Sequence, residues 1–246
     1  MRSLSHFFVF SLMLVWASVA MASGPNTNVP ETVKLSLTFH DLKSGKLLYK
    51  GTRTQVTKNG KVTVNSSYTD LSGKELDRGN TVYEADSLRV LSSESEDIRF
   101  GKLEKLTLSG DKLKIEYIKG KGEQAETEEI IWGAETATSS TVAEMMINNW
   151  VALASGKAVE LDLVVPSRTE TIRFRFKKDR NATLDGKAMM VVRMEPNSWL
   201  IRKLVDPMFF YFTESMPHLL KEYHGRSSIK TADNKDQDLR MVFNYE

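Results

Sequence analysis

The chain of 246 residues contains no cysteine. That excludes a disulfide framework, thiolate nucleophiles, Cys-liganded zinc and a lipid-modified N-terminal cysteine. Proline is scarce, with six residues, and no stretch rich in Pro, Gly and Ser divides the chain into two folded units. Neither sign of charge is in excess: 34 basic residues face 32 acidic ones, which argues against a dedicated binder of nucleic acid or another polyanion. Long apolar runs are missing too. The run at residues 7–19 is shorter than the roughly 20 residues that span a bilayer, and no second one follows. A hydrophobic content of 41% with 27% charged residues is that of a globular chain.

The short apolar run belongs to a pattern of its own. Arg2 gives a positive start, residues 7–19 an apolar centre, and Ala20-Met21-Ala22 a small-x-small cleavage site. Together they predict a secretory signal peptide over 1–22, cut before Ser23. Without Arg2, 33 basic residues stand against 32 acidic ones. An exported, nearly neutral chain without cysteine points to the periplasm of a Gram-negative bacterium. It would have no transmembrane segment after cleavage, and 23–246 would form a single domain.

What is present is mostly β pattern. Val33, Leu35, Leu37 and Phe39 alternate with polar residues, as in a half-buried strand. Turn signals then recur every 8–12 residues: Ser44-Gly45, Asn59-Gly60, Ser72-Gly73, Arg78-Gly79, Ser109-Gly110-Asp111 and a turn across 181–186. Residues 196–212 predict a short helical turn stopped at Pro207, then a strand apolar on both faces. Leu239, Met241, Phe243 and Tyr245 close the chain with clean alternation. Residues 23–30 and 230–237 are polar and predict mobile segments.

One convincing helix interrupts the strands. Thr141 and Glu144 have capping-box spacing, Gly156 supplies a left-handed stop, and Val142, Met145, Met146, Trp150 and Leu153 form one apolar stripe. A hairpin follows. A loop at 167–170 would set Leu163 opposite Phe174 and Leu161 opposite Phe176. The same register sets Asp162 opposite Arg175 and Glu160 opposite Lys177, so that both faces agree. An open antiparallel sheet of roughly ten to twelve strands, each with one apolar face, must curl or split. The expected fold is therefore mainly β, a large curved antiparallel sheet forming a half-barrel wrapped on one central amphipathic helix.

The chain also resembles uncharacterised proteobacterial envelope proteins of the domain-of-unknown-function 3108 type. The resemblance lies in Tyr49-Lys50-Gly51, in residues 150–156 leading into 159–176, in residues 199–212 and 219–228, and in the tyrosine-bearing end. It covers most of the chain after residue 22 and carries no catalytic motif. It implies a shape similar to the half-barrel of the periplasmic lipoprotein carriers LolA and LolB, with a greasy cavity around a helical plug.

Reaction chemistry is hard to find. There is no Gly-x-Ser-x-Gly elbow, no Ser-x-x-Lys and no phosphate-binding glycine loop, so a non-enzyme is expected, with no metal and no cofactor. His218, Glu222 and His224 lack the spacing of a zinc signature, although on one strand all three would share a face. Glu94, Glu96 and Asp97, like Glu126, Glu128 and Glu129, read as solvated hairpin tips. Arg173, Arg175, Lys177, Lys178 and Arg180 read as a charged outer face. Two apolar features remain. Val142, Met145, Met146, Trp150 and Leu153, with Phe174 and Phe176, read as plain core or as the lining of a cavity for an acyl chain. Residues 208–212 read as a strand buried on both sides or, with Trp199 and Leu200 just before them, as an exposed patch including Phe209 and Phe210 for a membrane or an envelope partner. The expected function is binding or shuttling of a lipid or other amphiphile, the alternative being envelope assembly through residues 199–212.

Overall fold

A computed structural model describes residues 32–203 and 205–246. The expected signal peptide, its cleavage site and residues 23–30 lie outside the described residues. The first half of the chain is a meander of β1 (Thr32–Asp41), β2 (Leu47–Lys58), β3 (Lys61–Asp70), β4 (Glu75–Glu84) and β5 (Val90–Asp97). It continues through β6 (Lys102–Ser109), β7 (Lys112–Ile118) and β8 (Glu126–Ile131). Next come the short β9 (Thr136–Ala137), two helical pieces α1 (Val142–Asn148) and α2 (Trp150–Ala154), and β10 (Val159–Val165). The remainder is β11 (Glu170–Leu184), β12 (Lys187–Pro196), α3 (Trp199–Arg202), β13 (Met208–Thr213), β14 (Leu220–Arg226) and β15 (Asp238–Tyr245).

All fifteen strands belong to one curved sheet in the order β8-β7-β6-β5-β4-β3-β2-β1-β15-β14-β13-β12-β11-β10-β9. The fold class expected from sequence is the one observed, with more strands than the alternation had suggested. Every ladder is antiparallel except β9 with β10, which is parallel. The first and last strands pair at the middle of the sheet, Leu35 opposite Tyr245 and Phe39 opposite Met241. Residues 132–135 therefore have to cross from one edge, β8, to the other, β9. α1 and α2 then connect β9 to its neighbour β10 and pack against the apolar inner face. Val164 of β10 packs with Leu106, Leu113 and Ile115 of β6 and β7, so the two ends of the sheet meet through side chains.

Several local expectations are corrected. The β10–β11 hairpin is closed by the 3-10 turn Pro166–Arg168 and a left-handed Thr169. Its register pairs Leu161 with Phe174, Asp162 with Arg173, Glu160 with Arg175 and Val159 with Phe176. This differs by two residues from the expected pairing and keeps both faces. The reason is Pro166, which has no N–H for the ladder and so begins the turn rather than ending the strand. The helix stop is as expected: Gly156 at φ +81° donates to Leu153 O, and Lys157 donates to Ala152 O, a Schellman arrangement. The expected capping box does not form. Thr141 Oγ1 accepts from Thr138 N, and Glu144 turns inward instead. The helix also breaks at Asn149, whose side-chain amide takes the Met145 carbonyl.

Other turns move as well. Arg78-Gly79 lies inside β4, and β11 runs on to Leu184 before turning at Asp185-Gly186. Of the segment 230–237 expected to be mobile, Lys230 is buried and ion-paired to Asp236 while 232–235 are exposed; Arg99 donates to the Lys230 carbonyl at 3.0 Å, which ties the start of this connection to the β5–β6 turn. At Gly51 the ring of Tyr68, its cross-strand partner, occupies the space where a Cβ would stand. Tyr68 in turn meets Phe39 edge to face at 5.2 Å.

Candidate functional site in the sheet interior

The interior has two walls. One is apolar and comes from β1, β10–β15 and the helices: Leu35, Leu37, Phe39, Phe174, Phe176, Met190, Met194, Phe210, Phe212, Met241 and Phe243 belong to a single cluster. Each comes from alternate positions of its strand, as a one-sided sheet requires. Of the residues singled out from sequence, Val142, Met146, Leu153, Phe174 and Phe176 lie in that cluster, with at most 1% of their surface exposed. Met145 and Trp150 are partly buried at its margin. Trp150 stacks on His218 with ring centroids 3.7 Å apart and meets Phe212 edge to face at 6.0 Å.

The other set of singled-out residues is split. Trp199 and Leu200, on α3, are exposed, and Phe209 is partly buried. Phe210 is fully buried, against Phe176, Phe212 and Tyr223. This corrects the expectation for Phe210, which cannot be part of a surface: strand alternation turns it to the core while Phe209 faces out.

The second wall was not anticipated. On β2–β6 the inner face carries polar groups: Arg53, Gln55, Ser66, Asp77, Thr81, Asp97, Lys102 and Glu104 are all buried. The ladder aligns them in rungs. Arg53 pairs with Ser66, Ser66 with Gly79, Gly79 with Ser95 and Ser95 with Glu104. On one side lies the rung of Gln55, Val64, Thr81 and Ser93, and on the other that of Tyr68, Asp77, Asp97 and Lys102. The N-terminal approach to the helix continues this wall, since Thr81 Oγ1 lies 2.8 Å from Ser93 Oγ and 3.1 Å from Ser140 Oγ.

Glu144 of α1 joins the two walls. Its Oε1 accepts from the Tyr83 hydroxyl at 2.9 Å, and only 2% of the residue is exposed. Burial pushes its carboxyl up to about 7, against the opposing charge of Arg53 and the Tyr83 hydrogen bond. Its Oε2 has no hydrogen-bond partner, and neither have Gln55 Oε1 and Asp77 Oδ1. Burial also drives the Asp77 carboxyl well above its ordinary range, with Lys102 opposing. Lys102 itself is ion-paired to Glu104 at 2.7 Å, and Arg99 to Asp97 at 2.8 Å. Buried oxygens without donors are uncommon in native proteins and point to water or a ligand.

The remaining candidates resolve into structural roles. Glu222 accepts from His224 Nε2 at 2.7 Å, whereas His218 precedes β14 and uses Nδ1 on the Thr213 carbonyl. No group that could hold a metal is found among the described residues. On the outer face of β11, Arg173 is ion-paired with Glu135, Glu160 and Asp162, Arg175 with Glu195 and Arg180 with Asp179. Glu126, Glu128 and Glu129 are exposed along the edge strand β8, but Asp97 is buried in β5 rather than at a solvated tip. The polar wall left one trace in the sequence, the unbroken polar stretches 65–67 and 92–97, which mask the alternation.

No family model matches the chain, and no curated protein matches it. Among solved structures it is similar to a β-barrel-like protein of the domain of unknown function DUF1849 from Brucella abortus. The identity is 12% and the TM-score 0.50, over 89% of this chain and 97% of that one. A putative outer membrane lipoprotein-sorting protein domain from Vibrio parahaemolyticus aligns over 87% of this chain and 83% of its own, with 6% identity and a TM-score of 0.25. A DUF1329 family protein from Desulfovibrio piger aligns over 87% and 82%, with 9% identity and a TM-score of 0.22. The Brucella protein shares the fold, a β-barrel-like sheet over nearly the full length of both chains. Among the described residues no helix is long and apolar enough to cross a membrane.

Proposed function

We propose that this protein is a non-catalytic periplasmic carrier that holds a lipid or other amphiphile inside its curved sheet. One observation carries the proposal: a single interior has an apolar wall on one side and a polar wall with unpartnered oxygens on the other. An amphiphile has the same division. Its chain would lie along Met145, Met146, Trp150, Phe174 and Phe176, where methionines adapt to chains of different shape, and its polar end along β2–β6. The signal-peptide pattern of residues 1–22 supports export, and the resemblance to the domain-of-unknown-function 3108 proteins and the LolA and LolB carriers supports the same role. Purification from the periplasm, organic extraction and mass spectrometry test it. A stoichiometric amphiphile is the expected result; a folded, empty protein that also takes up no added amphiphile would rule the proposal out. A second role, docking on an envelope protein, is favoured by the exposure of Trp199 and Leu200 on α3. That surface is confined to α3 and its flanks, because Phe210 is core.

A further inference from the structure

The polar wall has a shallow place. Ser66, Gly79 and Ser95 follow one another across β3, β4 and β5 on a single inner rung, so three adjacent strands project almost no side chain there. Bare oxygens lie on the rungs at either side of it and on the helix above the same wall. Gln55 Oε1 belongs to the rung on one side, Asp77 Oδ1 to the rung on the other, and Glu144 Oε2 comes from the helix; all three residues are at most 5% exposed and these atoms have no hydrogen-bond partner. Leaving a buried acceptor unsatisfied costs about 1–3 kcal/mol, so a partner that donates hydrogen bonds is strongly favoured.

Charge narrows the choice. Arg53 acts on Glu144 and Tyr245, Lys102 is paired with Glu104 and Arg99 with Asp97. A cationic group would meet Arg53 and Lys102, and an anionic one would meet Asp97 and Glu104. Neither sign gains an uncompensated partner, whereas neutral hydroxyls, which both donate and accept, can satisfy the Gln55 amide oxygen and the Asp77 and Glu144 carboxyls in either protonation state. We infer that the Ser66, Gly79 and Ser95 rung is the floor of a subsite for an uncharged, hydroxyl-rich headgroup, its hydroxyls hydrogen-bonded to Gln55, Asp77 and Glu144. The inference rests on the amphiphile-carrier function proposed above and names the class of polar end it accepts.

Three single-chain amphiphiles with the same tail separate the possibilities: octyl glucoside, octylamine and octanoate, titrated calorimetrically as monomers into the purified protein. Octyl glucoside is expected to bind at least about tenfold more tightly than either charged compound, the value of roughly one satisfied acceptor. Gln55→Met should reduce that preference about five- to tenfold and leave octanoate binding unchanged. Ser95→Leu, at a partly buried position that tolerates a larger chain, fills the rung and should abolish glucoside binding by itself. Equal affinity for all three, indifferent to both variants, would leave the carrier function standing and overturn the headgroup inference. A preference for octylamine or octanoate would overturn it in favour of a charged headgroup. Failure of all three to bind the folded protein would remove the carrier function and the inference together.

Discussion

The wall formed by β1 and β10–β15 and the wall formed by β2–β6 line one interior with opposite chemistry. The first buries phenylalanine, methionine and leucine on alternate residues, and its stability is that of a packed core. The second buries arginine, lysine, glutamine, aspartate and glutamate beside a small cluster of valines and Tyr83, with unpartnered oxygens at Gln55, Asp77 and Glu144, and its stability must be smaller per residue because polar burial is costly. A protein selected only to be stable would have filled both walls alike. On the proposed function, the apolar wall both holds the fold together and receives the amphiphile's chain, and the polar wall takes its polar end.

The largest test of this division is a pair of substitutions. Phe210→Ala removes a fully buried ring and should cost about 3–5 kcal/mol, whereas Gln55→Met, which replaces an unsatisfied amide with an apolar chain of similar length, should cost less than about 1 kcal/mol or stabilise. Urea unfolding of both variants checks it. Similar losses would mean that the polar wall is packed as tightly as the apolar one.

Glu144 sharpens the comparison at the point where the walls meet. Its folded carboxyl titrates at about 7 against an ordinary value of 4.5, so the folded state holds a proton that the unfolded state has released between those pH values. The contribution is therefore fully present below about pH 4.5 and lost as pH rises through about 7, amounting to roughly 3 kcal/mol for this buried group. Glu144→Gln keeps the shape and an oxygen for the Tyr83 hydroxyl but has no such dependence. The expected result is that the variant gains on the parent by about that amount between pH 5 and pH 8, measured by denaturant unfolding. A constant gap would mean that Glu144 is ionised throughout and compensated by Arg53.

At Gly51, where the polar wall borders β1, the glycine admits the Tyr68 ring. Gly51→Ala forces that ring and Phe39 to move and should cost about 1–3 kcal/mol, seen as a lowered midpoint in thermal unfolding. A neutral effect would show slack in the seam between the two walls.

The two walls also differed in how much of them could be read from sequence. Strands β1 and β15 and the β10–β11 hairpin alternate apolar and polar residues, so their inner faces, the class of fold and the central helix followed from periodicity alone. β4 and β5 did not. Apart from Tyr83 and Val90 at one end, their inner positions are Asp77, Gly79, Thr81, Ser93, Ser95 and Asp97, which are as polar as their outer ones, and a period of two cannot be seen where both faces are alike. Arg78-Gly79 then looked like a turn and residues 92–97 like an acidic tip. Glu144 was misleading for a related reason. Its spacing from Thr141 satisfies a local rule, but a long-range partner, the Tyr83 hydroxyl, takes the carboxyl instead. The hairpin register depended on one atom, the N–H that Pro166 lacks. The candidate site was thus half legible, its apolar lining by pattern and its polar lining only from the ladder.

The smallest expected effect concerns the outer surface, where neither wall has a stake. Trp199 is 63% exposed, and its ring carries the Lys203 ammonium 4.8 Å from the centroid. Such a contact at an exposed site contributes about 0.5–1 kcal/mol at most. Most surface substitutions fall within about 0.5 kcal/mol, so Trp199→Ser should leave the urea midpoint almost unchanged and amphiphile binding intact. If α3 is instead where an envelope protein docks, the same variant should lose its cross-linked partner in intact cells while the fold and the interior remain as they were. A loss of amphiphile binding in Trp199→Ser would break the division between inside and outside and tie α3, through β12, to the apolar wall it follows in the chain.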